Sequence, residues 1–254
     1  ANNTLPEAAR FANVFNAELV VCHTYHRPVS GAKGVGVLNA FVKELNKKFQ
    51  QLVENHDVLK NTKTSFITEL GFAKEIIPSI AEQQQVDLII MATKGAKGID
   101  QLWGSKTSEI LQHTKKPVIV MPAKATLQDL SKAGLMCDYN NTVDYNLLDI
   151  LVSMCDKMNL EIDVFTLNKS SRELSKQESA YRMLVQTKLK GLKATFNYTY
   201  GESVDSGIIQ YAKHHNIGMV AILPGSYSFI TGLFHDSLTE KMLYRSPIPL
   251  LILK

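Results

Sequence analysis

The sequence lacks most of the features that mark secreted, membrane-spanning or metal-binding proteins. It has three cysteines in 254 residues, with no Cys-x-x-Cys pair and no metal-ligand spacing, which argues against a disulfide framework or a zinc site. No apolar run reaches the ~20 residues that span a bilayer, and the first four residues lack the charged-then-apolar pattern of a secretion signal. These absences predict a cytoplasmic protein with no membrane segment and no bound metal.

Charge of either sign is also sparse and scattered along the chain. The 28 basic and 24 acidic residues leave a formal net charge of +4. Basic residues form only short pairs such as Lys47-Lys48 and Lys115-Lys116, whereas nucleic-acid-binding proteins concentrate them in a stripe or patch. We therefore expect solvated helix and loop faces, and no nucleic-acid partner.

An internal repeat with a period of about 130 residues organises the chain. Short apolar segments at 86–91 and 217–222 each follow a helical stretch. Each segment is followed by a glycine-bearing loop, a short helix and a proline-flanked apolar strand, at 117–122 and 249–253. The same order of elements in both halves predicts two copies of one unit.

The repeat extends upstream of these segments. Asn2-Asn3-Thr4 opens a helix that leads to a strand at 18–23, and Asn140-Asn141-Thr142 opens one that leads to a strand at 161–165. A period of this length is too long for a solenoid and matches a whole domain.

The alternation of elements predicts the fold class. Short apolar strands alternate with helical stretches such as 38–55 and 171–189, and this order requires right-handed crossovers and a parallel sheet with helices on both faces. We therefore expect two doubly wound α/β domains in tandem, at 1–124 and 130–254, joined by a connection within 123–132.

The second half begins with a strand, 133–137, that has no counterpart in the first half. It ends at Asp138, just before Asn140-Asn141-Thr142, and the equivalent strand of the first half would precede Ala1. The first strand of a doubly wound sheet lies centrally, so without it amides and carbonyls would be unpaired inside the core. We expect a further strand of roughly six or more residues ahead of Ala1, or another segment in its place.

The segment 90–107 carries the strongest functional signal. It runs from a buried strand through a glycine-bearing loop into a helix that begins near Gly104-Ser105. Glycines let backbone amides approach an anion, and the free amides of a helix start carry partial positive charge. Because open α/β sheets bind ligands at the carboxyl ends of their strands, we expect a di- or triphosphate here, although a tight loop with Ser105 acting only as a helix cap fits the same residues. A P-loop ATPase is excluded, since Ser105 and not lysine follows Gly104.

These residues resemble the universal stress protein family, whose members carry Gly-x2-Gly-x9-Gly-[Ser/Thr] between their fourth strand and fourth helix and bind ATP or related adenine nucleotides. Gly95 matches the second glycine, Gly104-Ser105 the closing pair, and Gly98 a glycine frequent inside the loop. Ala92 stands at the first glycine, and only eight residues separate Gly95 from Gly104. The resemblance implies two adenine nucleotide alpha hydrolase-like domains.

The resemblance also implies which residues bind the nucleotide, ATP or else AMP or ADP. In the first domain these are Met91, Ala92, Gly95, Gly98, Gly104 and Ser105. The family places an aspartate after its first strand, against the adenine base, and Asp138 matches it in the second domain. In the second loop, 223–239, Asp236 stands at the helix-start glycine. Its carboxylate would cap the free amides and repel a phosphate, so we expect no triphosphate there.

Three functions follow from these observations. The first is a stress protein that uses the nucleotide as a conformational ligand, with at most slow hydrolysis, because no catalytic base accompanies the loop. The second is a scaffold that has lost nucleotide binding and acts through protein contacts, which Ala92, the shortened loop and Asp236 favour. The third, an adenylate-transferring enzyme, lacks the His-x-Gly-His signature.

The resemblance further implies an intramolecular pseudo-dimer, because the closing strands of tandem family members pair across the two copies. Whether chains associate further, which protein partners they bind and which stress they answer all stay open. His214-His215 end a helix, where polar caps are expected, and we assign them no function.

Overall fold

Helices alternate with strands along the chain. The computed structural model describes residues 4–25, 35–92, 103–122, 124–137, 139, 144–168, 174–200, 204–223 and 246–254. The helices are α1 (Thr4–Phe15), α2 (Val35–Glu54), α3 (Asp57–Lys60), α4 (Ala73–Gln83), α5 (Trp103–His113), α6 (Asp149–Met158), α7 (Lys176–Lys188) and α8 (Val204–His214), with a 3₁₀ helix at Tyr145–Leu148. The strands are β1 (Leu19–Tyr25), β2 (Thr64–Leu70), β3 (Ile89–Ala92), β4 (Val118–Met121), β5 (Lys132–Met136), β6 (Glu161–Asn168), β7 (Ala194–Tyr200), β8 (Met219–Ile222) and β9 (Leu250–Ile252).

Local sequence explains where the helices of the second half begin and end. The Ser175 hydroxyl accepts from the Glu178 amide, while the Glu178 carboxylate accepts from the Ser175 amide. This capping box starts α7 at Lys176, five residues later than the hydrophobic pattern predicts. At the other end of a helix, Asn159 adopts a left-handed conformation, φ 51°, and stops α6.

Seven strands form one sheet in the order β3-β4-β9-β8-β5-β6-β7. The five strands of the second half run parallel to one another, with β5 between β6 and β8. The two halves meet where β4 and β9 pair antiparallel, with Ile119 opposite Leu251. The predicted α/β class with parallel sheets is confirmed, and the closing strands of the two halves are bonded to each other.

The sheet of the first half is interrupted. Strands β1 and β2 form a separate two-stranded parallel sheet, whereas β3 and β4 belong to the seven-stranded one. Within the described residues no strand joins the two sheets by pairing with both β1 and β3. The interruption lies where the sequence analysis places an additional strand, because β5 occupies the equivalent position in the second half.

The hydrophobic core continues from one half into the other on both faces of the large sheet. Alternate residues of β5 point to opposite faces, so that Leu135 joins one cluster and Met136 the other. The junction strands do the same, since Ile119 and Leu251 belong to the first cluster and their neighbours to the second. Burial at the junction therefore stabilises both halves together.

A buried carboxylate ties α1 to the connection between the halves. Glu7 is only 4% exposed. Its Oε2 atom accepts hydrogen bonds from the Thr126 hydroxyl and the Leu127 amide, both at 2.9 Å, and Oε1 pairs with Arg10. Because a buried carboxylate is unfavourable without such partners, these contacts determine how the connection lies against α1.

We expect Glu7→Ala to lower the free energy of unfolding by about 2 kcal/mol, because the buried Leu127 amide would lose its acceptor. Urea unfolding followed by circular dichroism measures this change. Glu44→Ala is the matched control: Glu44 pairs with Lys48 on an exposed face of α2, where ion pairs contribute little. Equal shifts in both variants would contradict the role given to Glu7.

Candidate functional site

The carboxyl end of β3 forms one side of the candidate site. Strands β3 and β4 pair in parallel, with Met91 beside Val120 and Ala92 beside Met121, so both strands end at the same edge of the sheet. Met91 packs partly buried against the hydrophobic core. Ala92 is the last residue of β3. Both residues therefore lie at the edge where parallel sheets bind ligands.

Helix α5 forms the other side of the site. It connects two parallel strands, so it runs opposite to them and its amino end lies at the edge where β3 ends. The first turn contains Gly104-Ser105 and no acidic residue, and the helix begins within one residue of its predicted start. Leu111 packs it against strands of the sheet, and the neighbouring Ile110 is also buried. Free amides in a first turn that has no acidic residue favour an anion.

Two hydroxyl residues follow on the buried side of α5. Thr107 and Ser108 are each 8% exposed. The Ser108 hydroxyl makes no hydrogen bond to the described part of the chain, although a buried hydroxyl is unfavourable without a partner. The sequence analysis did not single out Ser108. The feature that could have drawn attention to it is the pair of consecutive hydroxyl residues, Thr107 and Ser108, soon after Gly104-Ser105.

Four residues named by the sequence analysis lie outside the described residues: Gly95, Gly98, Asp138 and Asp236. The topology places Met91, Ala92 and the first turn of α5, which contains Gly104 and Ser105, at the same edge of the sheet. That any of the named residues binds a nucleotide stays a prediction.

The sheet topology separates the end of β5, which Asp138 follows in the sequence, from the end of β3. Asp138 comes two residues after the end of β5. Strand β5 is parallel to β8 and β9, whereas β9 is antiparallel to β4, so β5 and β3 end at opposite edges of the sheet. One nucleotide in one chain therefore cannot contact both the end of β5 and the start of α5. Asp138 belongs with the second domain, as its position in the repeat indicates.

A buried polar cluster in the second half was missed by the sequence analysis. Asp163 in β6 is 1% exposed and accepts hydrogen bonds from Asn197 Nδ2 at 2.7 Å and from the Tyr211 hydroxyl at 3.0 Å. His215 Nδ1 lies 3.4 Å from Asp163 Oδ2, and its ring stacks on Tyr211 at 4.0 Å. Burial, together with the neighbouring carboxylate, raises the pKa of Tyr211, which keeps its hydroxyl protonated as a donor.

The position of this cluster indicates a structural role. Asp163 is the third residue of β6 and lies toward its amino end, away from the edge where ligands bind. Through Asn197 and Tyr211 it joins β6 to β7 and to α8. The sequence feature that could have revealed the cluster is a carboxylate between Ile162 and Val164 in an apolar strand. His215, to which the sequence analysis assigned no function, is a member of the cluster.

None of the three cysteines forms a disulfide in the described part of the chain. Cys137 and Cys155 are buried, whereas Cys22 in β1 is only half-buried. Burial raises the pKa of the Cys155 thiol to about 12, and burial together with Glu69 raises that of Cys22 to about 11. Thiols with such pKa values are weak nucleophiles at neutral pH.

Two further features concern metal binding and membrane insertion. In the described ranges no three His, Cys, Asp or Glu side chains are grouped so as to hold a metal ion. No helix in the same ranges is both long and apolar enough to cross a bilayer.

Comparisons with known proteins agree with this architecture. Residues 1–122 match the sequence model of the Universal stress protein family. A universal stress protein from Archaeoglobus fulgidus DSM 4304 superposes with a TM-score of 0.74 at 17% identity, over 98% of this chain and 90% of that chain. A functionally unknown protein from Pseudomonas aeruginosa PAO1 gives a TM-score of 0.62 at 15% identity, over 98% and 86% of the two chains.

A similar fold also occurs in a protein of a different kind. The cytoplasmic domain of a prokaryotic cation chloride cotransporter gives a TM-score of 0.51 at 8% identity, over 97% of this chain and 91% of that chain. No curated protein sequence matches the chain significantly. At these identities the structural matches establish the fold alone.

Fold and site together define a doubly wound α/β protein with an anion-favouring helix end at the edge of its parallel strands. Residues 1–122 form a domain of the universal stress protein family, and nearly the whole chain shares the fold of a solved universal stress protein.

Proposed function

We propose that this universal stress protein binds ATP, or else ADP or AMP, in its first domain as a conformational ligand. The observation that carries the proposal is the amino end of α5, which has Gly104-Ser105 and no carboxylate in its first turn. This end lies at the edge of the sheet where β3 stops. Helix ends of this kind stabilise phosphate groups, and membership of the family supports an adenine nucleotide as their carrier.

Each candidate residue has a role in this proposal. The amides near Gly104, with the Ser105 hydroxyl, donate to phosphate oxygens. Gly95 and Gly98 let the loop backbone approach the same oxygens, and Met91 and Ala92 form the floor at the end of β3. Asp138 would contact a base in the second domain, at the opposite edge of the sheet.

The proposed protein is a nucleotide-responsive protein of the cytoplasm and not an efficient enzyme. We assign no general base, so hydrolysis at this site would be slow at most. A bound nucleotide changes the protein only through contacts that differ between two conformations. The loop 93–102 joins β3 to α5 and is the segment in which we expect such contacts.

We expect Gly104→Asp to weaken ATP binding at least about tenfold, because a carboxylate in the first turn would occupy the free amides and repel the phosphates. Isothermal titration calorimetry measures the affinity. An aspartate in the first turn is favourable for a helix, so the variant should fold. Gly36→Asp is the control: Gly36 is an exposed glycine near the start of α2 with open space around it. Unchanged ATP affinity in Gly104→Asp would place the nucleotide elsewhere.

The alternative is a tandem scaffold that does not bind nucleotide. Ala92 at the first glycine and the shortened loop favour it, and a shared fold does not by itself specify a ligand. Mass spectrometry of small molecules released from the purified chain separates the two hypotheses. Adenine nucleotide in amounts approaching those of the protein supports the site, whereas its absence, with no thermal shift at millimolar ATP, supports the scaffold.

A further inference from the structure

Strand β7 forms one edge of the seven-stranded sheet. In the described residues it pairs only with β6. The Ile162 amide of β6 donates to the Lys193 carbonyl, and the backbone groups of successive residues in a strand point to opposite sides. The amides and carbonyls of Phe196 and Tyr198 therefore point away from β6, where an added strand could pair with them.

An arginine of α7 lies over this edge. The Cζ atom of Arg182 is 5.5 Å from the ring centre of Phe196 and 5.6 Å from that of Tyr198. Its Nη1 atom donates to the Tyr198 hydroxyl at 2.9 Å, and this stacking orients the guanidinium while its positive charge is retained. In the described ranges no carboxylate forms an ion pair with Arg182, and its buried Nε atom has no hydrogen-bond partner, which is unfavourable. Those ranges therefore supply no anion for this cation.

The first half has an apolar contact at the equivalent position. Phe66 and Phe196 are each the third residue of their strands, β2 and β7. Phe66 stacks on Phe49 of α2 with ring centres 4.3 Å apart, whereas Arg182 lies over Phe196. A phenylalanine is enough to pack a helix on this strand, so packing alone does not explain the arginine.

The surroundings of β7 are basic. Between residues 174 and 200 the sequence has five basic residues and one acidic residue, Glu178, whose carboxylate is buried in the capping box of α7. The corresponding unit of the first half, 35–70, has five basic and four acidic residues. Exposed Lys176 begins α7, and exposed Lys193 precedes β7. Because α7 connects two parallel strands and runs opposite to them, these lysines lie toward opposite ends of β7. Positive charge along the strand attracts a negatively charged partner.

We propose that the outer edge of β7 binds an extended, acidic peptide segment of a partner protein, which adds to the sheet as a further strand. Backbone hydrogen bonds to Phe196 and Tyr198 hold the segment, and one of its carboxylate side chains, on the α7 face, pairs with Arg182. Neighbouring strands lie about 4.8 Å apart, and Tyr198 is 38% exposed, so a glutamate of the added strand reaches the guanidinium above β7. The inference does not depend on nucleotide binding, because β7 and β3 lie at opposite ends of the strand order.

The probe is an acetylated and amidated heptapeptide in which threonine and glutamate alternate, added to the full 254-residue chain. Amide hydrogen exchange, resolved by residue, measures strand addition, and isothermal titration calorimetry at low salt measures affinity. We expect saturable protection of the Phe196 and Tyr198 amides, because paired backbone exchanges only on opening. Strand β2 is the internal control and should gain no protection, since it is the corresponding strand of the first half and pairs with β1 alone in the described residues.

Two modified peptides test charge and backbone pairing separately. One has lysine in place of each glutamate, and the other keeps the glutamates but is N-methylated at every residue, so that it cannot donate to the ladder. Neither should bind. Equal binding of the lysine peptide, equal binding of the N-methylated peptide, or no protection up to millimolar acidic peptide would overturn the proposal.

Arg182→Gln should weaken the affinity for the acidic peptide at least about tenfold, because it removes a charged hydrogen-bond donor. Lys43→Gln is the matched control: it removes an exposed charge from α2 and should leave the affinity unchanged. Unchanged affinity in Arg182→Gln would show that this arginine only guards the edge against aggregation, and would overturn the proposal. The lysine and N-methylated peptides keep the test decisive if Arg182→Gln does not fold.

A second copy of the chain is the competing occupant of the edge. Sedimentation of the peptide-free protein, together with its amide exchange, distinguishes the two. A monomer with rapidly exchanging Phe196 and Tyr198 amides supports an edge that awaits a partner. A dimer in which these amides are already protected would assign the edge to self-association and overturn the proposal.

Discussion

Asp163→Ala is expected to lower the free energy of unfolding by about 2–5 kcal/mol, because it removes the acceptor shared by two hydrogen-bond donors. The substitution leaves the Asn197 amide and the Tyr211 hydroxyl without their acceptor, inside a part of the sheet where Asp163 is 1% exposed. Each buried donor left unpaired costs about 1–3 kcal/mol. Urea unfolding followed by circular dichroism measures the loss.

Two further variants separate the causes of this loss. Asp156→Ala removes an exposed carboxylate from α6 and should change stability by less than about 0.5 kcal/mol. His215→Gln removes the partly exposed member of the cluster and should cost less than Asp163→Ala, because Asn197 and Tyr211 keep their acceptor. If His215→Gln proved as damaging as Asp163→Ala, the contact between His215 and Asp163, and not the hydrogen bonds from Asn197 and Tyr211, would hold α8 on the sheet.

Leu251→Ala is the second substitution with a large expected effect, a loss of about 2–5 kcal/mol. Leu251 in β9 is 0% exposed and lies between Ile119 of β4 and Ala221 of β8. Truncating it leaves a cavity at the strand that joins the two halves. The loss includes both the transfer free energy of the removed methyl groups and the cavity left behind.

Two spectroscopic signals distinguish unfolding of the first half from unfolding of the whole chain in this variant. Trp103, the single tryptophan, belongs to the first half, so its fluorescence reports that half while circular dichroism reports the whole chain. We expect both signals to shift to lower urea concentration together, because the core is continuous across the junction. Leu184→Ala, at a leucine that is 48% exposed on α7, is the control. A shift in circular dichroism without one in fluorescence would show that the halves unfold independently.

Much of the element order could be predicted because it depends on local pattern. Short apolar runs after helical stretches predicted β3 and β8, and proline-flanked apolar runs predicted β4 and β9; the extra strand of the second half is present as β5. The edge strands β2 and β7 were not identified individually. Both alternate polar and apolar residues, as in Ala194–Tyr200, and this half-exposed pattern is weaker than a continuous apolar run.

The local part of the candidate site could also be predicted from sequence, whereas contacts between distant residues could not. A glycine-bearing loop between a strand and a helix is a local feature, so the start of α5 and the end of β3 could be located from sequence. The Asp163 cluster could not, because it joins residues up to 52 positions apart along the chain. Only the packing of α8 on β6 and β7 brings its members within hydrogen-bonding distance.

The sequence by itself determined the α/β class, the repeat of about 130 residues and the helix end that favours an anion, since each of these follows from periodicity or from residue types close together in the chain. Only the tertiary structure decided at which edge of the sheet the carboxyl end of each strand lies. Any apolar strand can pair with any other, so nothing local predicts that β4 and β9 meet antiparallel, Ile119 opposite Leu251. That reversal directs the end of β5 to the edge opposite the one where β3 ends.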